Sequence, residues 1–188
     1  MRWDYRIGGP WLVFAAYWAI GALKTRATVR QESFGSRYGV LLLEILGYAF
    51  LFSERFGFGV LGRHLFRRTV AIPIVGVVFT CMGIGIAIWA RYNLGQYWSA
   101  RITLKKDHQL IRTGPYCYLR HPIYTGLDVA VIGSALAIDR WRCVLGVCLI
   151  IAGYVIKAKR EEALLATQFG DAFDDHRKHT GFLLPRLW

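Results

Sequence analysis

Asp107-His108-Gln109-Leu110-Ile111-Arg112-Thr113-Gly114-Pro115-Tyr116-Cys117-Tyr118-Leu119-Arg120-His121-Pro122-Ile123-Tyr124-Thr125-Gly126 is the densest run of polar and aromatic groups in a chain that otherwise reads as hydrocarbon. Its ending, Arg120 to Gly126, leads straight into another apolar run. The polar cluster is therefore held at the edge of a membrane, where it suits a site serving one soluble and one lipid-embedded reactant.

Composition agrees with that placement. At 188 residues the chain is one domain by length, and 55% hydrophobic residues with a positive mean hydropathy lie outside the usual soluble range. A formal charge of +12 raises nucleic acid as a partner. No recognition motif supports it, and the basic residues flank apolar segments instead of forming a continuous patch, so no nucleic acid is expected. Cys81, Cys117, Cys143 and Cys148 have no CxxC spacing and three sit in apolar runs, which makes them small core residues rather than a zinc site or disulfide framework. A signal peptide is not expected, because the first apolar run begins at Pro10, lacks an Ala-x-Ala pattern and is followed by further apolar runs.

Five runs, 10–23, 38–52, 70–90, 123–138 and 143–156, carry few charges and predict about five transmembrane helices. Only the third reaches the length a lone spanning helix needs; Tyr, Trp and snorkelling Arg extend the others. The fourth and fifth are joined by Asp139-Arg140-Trp141-Arg142 alone, which predicts an antiparallel C-terminal helical hairpin. Of the 24 Lys and Arg residues, sixteen fall in 24–37, 91–120 and 157–186 and eight on the alternate side. The richer side is cytoplasmic by the positive-inside bias, which puts the C-terminus inside and the 107–126 stretch on the cytoplasmic face. The expected fold is an all-α integral membrane protein in one domain, 1–188.

Gly57-Phe58-Gly59-Val60-Leu61-Gly62 spells G-x-G-x-x-G, but it follows a membrane helix rather than a strand and reads as an interfacial connection. After the fifth run, 157–168 continues as a charged helix, Phe169-Gly170 is a helix stop, and 171–179 predicts a second short helix. Asp171, Asp174, Asp175, His176 and His179 on that tail read as a solvated face, and no metal site is expected.

Pro122 has no N–H and a fixed φ, which suits the first turn of the fourth helix, so unpaired backbone N–H groups face the boundary there. Such an end attracts a carboxylate or phosphate. Arg120, His121 and Tyr124 add donors around it; an interfacial belt anchoring the helix is the equal alternative on these residues alone. Lys157 and Glu161 share a helix face four residues apart. The hairpin returns them, with Arg160 and Glu162, to the neighbourhood of 120–124. Carboxylates, a cation and a helix N-terminus together would grip a ligand bearing both ammonium and carboxylate groups.

Gly114-Pro115-Tyr116-x-Tyr118-x-Arg120-His121-Pro122-x-Tyr124-x-Gly126, followed by Glu161-Glu162 and Phe169-Gly170, resembles the integral-membrane methyltransferases typified by isoprenylcysteine carboxyl methyltransferase, which use S-adenosylmethionine. The resemblance covers residues 93–185 or so and makes 70–188 the catalytic core, with 1–69 contributing two N-terminal helices. It implies a cytoplasmic pocket for S-adenosylmethionine formed by His108, Gln109, Leu110 and Ile111, by Tyr116, by His121, Pro122, Ile123 and Tyr124, and by Glu161. It implies catalytic roles for Lys157 and Arg120, and a lipophilic or lipidated acceptor arriving from membrane lipid. Lys157 stands where the carboxyl methyltransferases have Arg, offering a point charge in place of a planar fork. Phe173 and His176 occupy positions that are often Tyr. A carboxylate acceptor would need little more than in-line positioning in a dry pocket, whereas an amine must first lose a proton to a base such as His121 or Glu161. Phospholipid N-methyltransferases share the architecture, NADPH-dependent sterol reductases are more distant, and a non-catalytic membrane scaffold remains as a further alternative.

Overall fold

Backbone touches backbone where glycines from two helices face each other. A β-carbon on Gly83 would lie 2.4 Å from the Ala130 nitrogen and from the Gly126 oxygen, and one on Gly76 would lie 2.5 Å from the Ala137 nitrogen. Gly126 and Gly133 are closed in the same way by Ala87 and Thr80. The seven-residue spacing on each chain segment keeps these small residues on one face, so two helices pack at backbone distance through van der Waals contact.

A computed structural model describes residues 4–22, 28–31, 34–66, 70–98, 103–105 and 109–186. The helices just described are α3 (Ala71–Leu94) and α4 (Pro122–Ile138), which form the most extensive helix pair in the protein. Before them come α1 (Asp4–Ala22), strand β1 (Thr28–Gln31) and α2 (Phe34–Phe52); β2 (Thr103–Lys105) lies between α3 and α4; α5 (Trp141–Phe169) and α6 (Asp171–His179) complete the chain. The helices α3 and α5 are each long and apolar enough to cross a membrane.

The long elements are all helices, as expected, and a short antiparallel ribbon joins them: β1 and β2 pair with Thr28 opposite Lys105 and Gln31 opposite Thr103. Strands of three and four residues in connecting loops leave no periodic signal beside long apolar runs. Two expectations are corrected. The helix α1 begins six residues before Pro10, which sits inside it. Proline favours a first turn but does not require one, and helices in an apolar environment tolerate it. The hairpin link is Asp139-Arg140 alone, since Trp141 already belongs to α5, and α5 packs mainly on α2 rather than on α4.

That link is held from outside the hairpin. Asp139 adopts a left-handed conformation, φ 55°, and donates its N–H to the Ala135 carbonyl. Its carboxylate accepts from the backbone of Leu65 and Phe66 at 3.0 and 2.9 Å, and lies 2.8 Å from His64 Nδ1. Arg142 donates to the carbonyls of Phe50 and Leu51, pinning the start of α5 to the end of α2. Two short 3-10 turns, Glu54–Phe56 and Gly59–Gly62, lie at this end of the molecule, the second beside α5.

The opposite end gathers the β-ribbon, the last turn of α3, the first turn of α4 and the charged half of α5. Lys, Arg, Glu, Ala and Leu carry α5 past its apolar section because they are strong helix formers. It stops at Gly170, whose φ of 48° favours glycine. Trp11 Nε1 donates to Ser134 Oγ at 3.0 Å, and Ser134 meets Thr80 at 3.2 Å, so one small polar network ties α1 to the α3–α4 pair.

Candidate active site

The 3-10 turn Gly114–Cys117 docks the polar stretch on the end of α3. Gly114 has φ 59°, and a β-carbon there would lie 2.4 Å from Asn93 Oδ1, so both conformation and space demand glycine. The turn buries Tyr116. Leu119 then bridges to Gly181, with Arg120 N–H donating to Gly181 O at 2.9 Å and Gly181 N–H to Tyr118 O at 3.0 Å. Thr125 Oγ1 donates to Leu183 O at 2.7 Å, which straps the C-terminal segment across the start of α4.

His121 is the N-cap of α4 and Pro122 its first residue, as the sequence predicts, and the His121 side chain makes no capping hydrogen bond. Instead the His121 ring turns toward α5. Its Nδ1 lies 3.5 Å from Glu161 Oε2 and its Nε2 3.4 Å from Glu162 Oε1, ion-pair separations rather than aligned hydrogen bonds. Tyr124 donates its hydroxyl to Glu161 Oε1 at 2.6 Å. Its ring stacks on His121 at 5.7 Å and on Tyr154 at 5.2 Å. Lys157 Nζ lies 5.6 Å above the same ring and 3.7 Å from Glu44 Oε1.

These neighbours set the protonation of the groups beyond the apolar helices. Burial penalises the charged His121 ring, but Glu161 and Glu162 outweigh it and its pKa is raised. Burial works against the Glu162 carboxylate too, and His121 with Arg120 overcomes it, so its pKa is lowered. Tyr116 is pushed far up by burial and then by the Glu161 charge, with Arg91 opposing. It stays a neutral phenol.

The structure thus brings Tyr116, His121, Tyr124 and Glu161 to one place, with Pro122 and Ile123 at the helix start. Arg120 is occupied on the tail side: Nε pairs with Glu162 Oε1 at 2.5 Å, and Nη1 donates to Thr180 O. Gln109 is exposed, Leu110 half-buried, and Ile111 packs against the buried core. His108 lies outside the described residues. On α6, Phe173 and His176 are buried while Asp171, Asp174 and His179 are exposed. Burial, then the Arg112 and Arg120 charges, lowers the pKa of His176. Arg112 joins α6 through Asp175 at 3.0 Å.

Four residues escaped the sequence reading: Glu44 and Tyr48 on α2, Asp128 on α4 and Tyr154 on α5. Tyr48 and Tyr154 share a 2.8 Å hydrogen bond. The signal available was a carboxylate inside each of two apolar runs, where a charge is costly unless it is used.

The family described as isoprenylcysteine carboxyl methyltransferase matches residues 75–167. Protein-S-isoprenylcysteine O-methyltransferase of Schizosaccharomyces pombe is 31% identical over 112 residues, which is 58% of this chain and 48% of that protein. The nickel-cobalt-cadmium resistance protein NccN of Alcaligenes xylosoxydans xylosoxydans is 31% identical over 97 residues, 50% of this chain and 45% of that one. The chain spans about half the length of these curated relatives. In fold it is similar to the solved structure of the eukaryotic intramembrane Ras methyltransferase, with TM-score 0.57 and 21% identity over 79% of this chain and 53% of that one. The matched segment carries the glycine-packed α3–α4 pair, the 114–126 turn and Glu161, and over it the chain is similar to the isoprenylcysteine carboxyl methyltransferase family.

Proposed function

We propose that this protein transfers a methyl group from S-adenosylmethionine to a lipophilic acceptor that reaches it from the bilayer. One observation carries the reading: Glu161, held by the Tyr124 hydroxyl and flanked by His121, stands beside the α4 N-terminus, where the N-cap side chain makes no capping hydrogen bond. A carboxylate beside a helix N-terminus offers an α-amino acid both partners it needs, an acceptor for its ammonium and N–H donors for its carboxylate. S-adenosylmethionine has that amino-acid end, and the residues fit it. When bound, it supplies a sulfonium methyl already activated for transfer.

The chain's own part is then to orient and to exclude water. Glu161 and the start of α4, 121–124, hold the amino-acid end. Tyr116 and 109–111 enclose the remainder from the α3 side. Arg120 keeps Glu162 and the C-terminal strap in place, and Lys157 faces the acceptor. Aligning the methyl with the attacking atom in a dry pocket supplies much of the rate enhancement for such a transfer. In this reading all five long helices are membrane-embedded in one domain, the pocket faces the cytoplasm, and the C-terminus is inside. Isothermal calorimetry of the purified protein with S-adenosylmethionine tests the reading: saturable binding supports it, and none by a folded sample refutes it.

A further inference from the structure

Directly beneath Glu161 and Tyr124, polar residues continue down three helices. Asp128 follows Tyr124 by four residues and so shares its face of α4. Glu44 and Tyr48 take the same relation on α2, and Tyr154 and Lys157 lie on α5. Their surroundings are apolar, where each charge is costly unless paired or used. Lys157 has Glu44 at 3.7 Å. Asp128 has nothing comparable among the described residues: its Oδ1 is shielded from solvent and has no hydrogen-bond partner there. Asp128 lies one turn below Tyr124, whose ring stacks on Tyr154, and Tyr154 bonds Tyr48, so it belongs to the same cluster. The helices α2 and α4 make little contact with each other, so the cluster lies behind a weak seam.

The charges decide what this cluster accepts. Among the described residues of this cluster the carboxylates are Glu44 and Asp128 and the ammonium is Lys157. Arg120 is taken by Glu162 and the Thr180 carbonyl. Arg91 donates to the Gly95 and Gly21 carbonyls and lies over Trp98, on the α1 side. A carboxylate acceptor would find its cation already neutralised and would meet Asp128 as a like charge. An ammonium would complete Asp128.

Resting on the methyltransferase reading above, we propose that the acceptor is a lipophilic amine, seated against Asp128 beside Tyr154, and that Asp128 takes its proton. The acceptor ammonium gives one proton to the Asp128 carboxylate. The freed nitrogen lone pair forms the N–C bond to the methyl of the sulfonium donor, and the electron pair of the broken C–S bond stays on sulfur. An N-methylammonium, a thioether and protonated Asp128 result, and that proton passes to water as the product leaves. Glu44 holds Lys157 away from the incoming cation, a positioning role.

The test uses full-length protein in lipid nanodiscs, radiolabelled S-adenosylmethionine, and two acceptors, dodecylamine and N-acetyl-S-farnesylcysteine. Label is expected in the amine. Asp128→Asn should lower that labelling on the order of a hundredfold at pH 7, the scale of a lost general base, and should regain it as pH rises toward about 10, where the amine deprotonates unaided. Donor affinity should not change, while dodecylamine affinity measured without donor should fall. Glu44→Gln should raise labelling of the carboxylate relative to the amine. Label in the carboxylate alone, in neither acceptor, or at the same rate in Asp128→Asn at every pH overturns the amine assignment. Donor binding in those same samples keeps that failure separate from failure of the methyltransferase reading, which absence of donor binding alone would bring about.

Discussion

His121 sits between two carboxylates with its ring almost wholly buried, so its titration is tied to folding. Its folded pKa lies above the ordinary 6.5, so its contribution to stability is complete below pH 6.5 and is lost as pH rises through the folded value. Glu162 runs the other way: its folded pKa lies below the ordinary 4.5, so its contribution is present above pH 4.5 and is lost as pH falls through the folded value. The cluster is strongest between the two. Thermal unfolding in detergent should show His121→Asn least stable relative to the parent near pH 5 to 6, with the gap closing toward pH 9. A gap independent of pH would show that the ring's charge is not used. At this scale the motif residues were readable in the sequence, because Tyr116, His121 and Tyr124 fall in the dense polar and aromatic run 107–126 and Glu161 in the charged section that follows the last apolar run. Glu44 and Asp128 are carboxylates inside apolar runs, but only the packing of α2 and α4 against α5 gives them partners, or in the case of Asp128 withholds one.

Among the elements, the α3–α4 pair is the most demanding, since its glycines leave no room for a β-carbon. Gly83→Ala would place a methyl 2.4 Å from the Ala130 nitrogen and push the helices apart, at an overpacking cost of about 1–3 kcal/mol. Gly85 lies two residues on along α3 with nothing within 4 Å of its virtual β-carbon, and is the control. Detergent melting curves should fall for Gly83→Ala and stay near the parent for Gly85→Ala; equal behaviour would contradict the close packing. The existence of each long helix was legible from hydropathy. Which helices pair was not, because the two-residue link between α4 and α5 sets their order in the chain, whereas Gly47 and Gly146, also at backbone distance, seat α5 on α2. The β-ribbon was illegible for want of length.

For the whole molecule, the alternating helices collect the ribbon, the 114–126 turn and the charged half of α5 at one end, and the 54–62 turns with Asp139 at the other. The sequence expected that division from the alternation of its apolar runs, and counting Lys and Arg only chose which end to assign to the cytoplasm. Cys117 is exposed at the first end, whereas Cys81 and Cys148 lie on the apolar helices. A membrane-impermeant maleimide should therefore leave Cys117 unmodified in intact cells and label it in inside-out vesicles; the reverse pattern would invert the proposed orientation. What the site does rests on Glu161, and the most direct measurement is calorimetric titration of S-adenosylmethionine into the parent protein and into Glu161→Ala and Tyr116→Ala, each shown to be folded. The account predicts saturable binding to the parent and at least tenfold weaker binding to Glu161→Ala, the order of about 1.5–3 kcal/mol for a hydrogen bond to a charged group, with a loss for Tyr116→Ala as well. Parent protein that binds no S-adenosylmethionine, or Glu161→Ala that binds it as tightly as the parent, would contradict it.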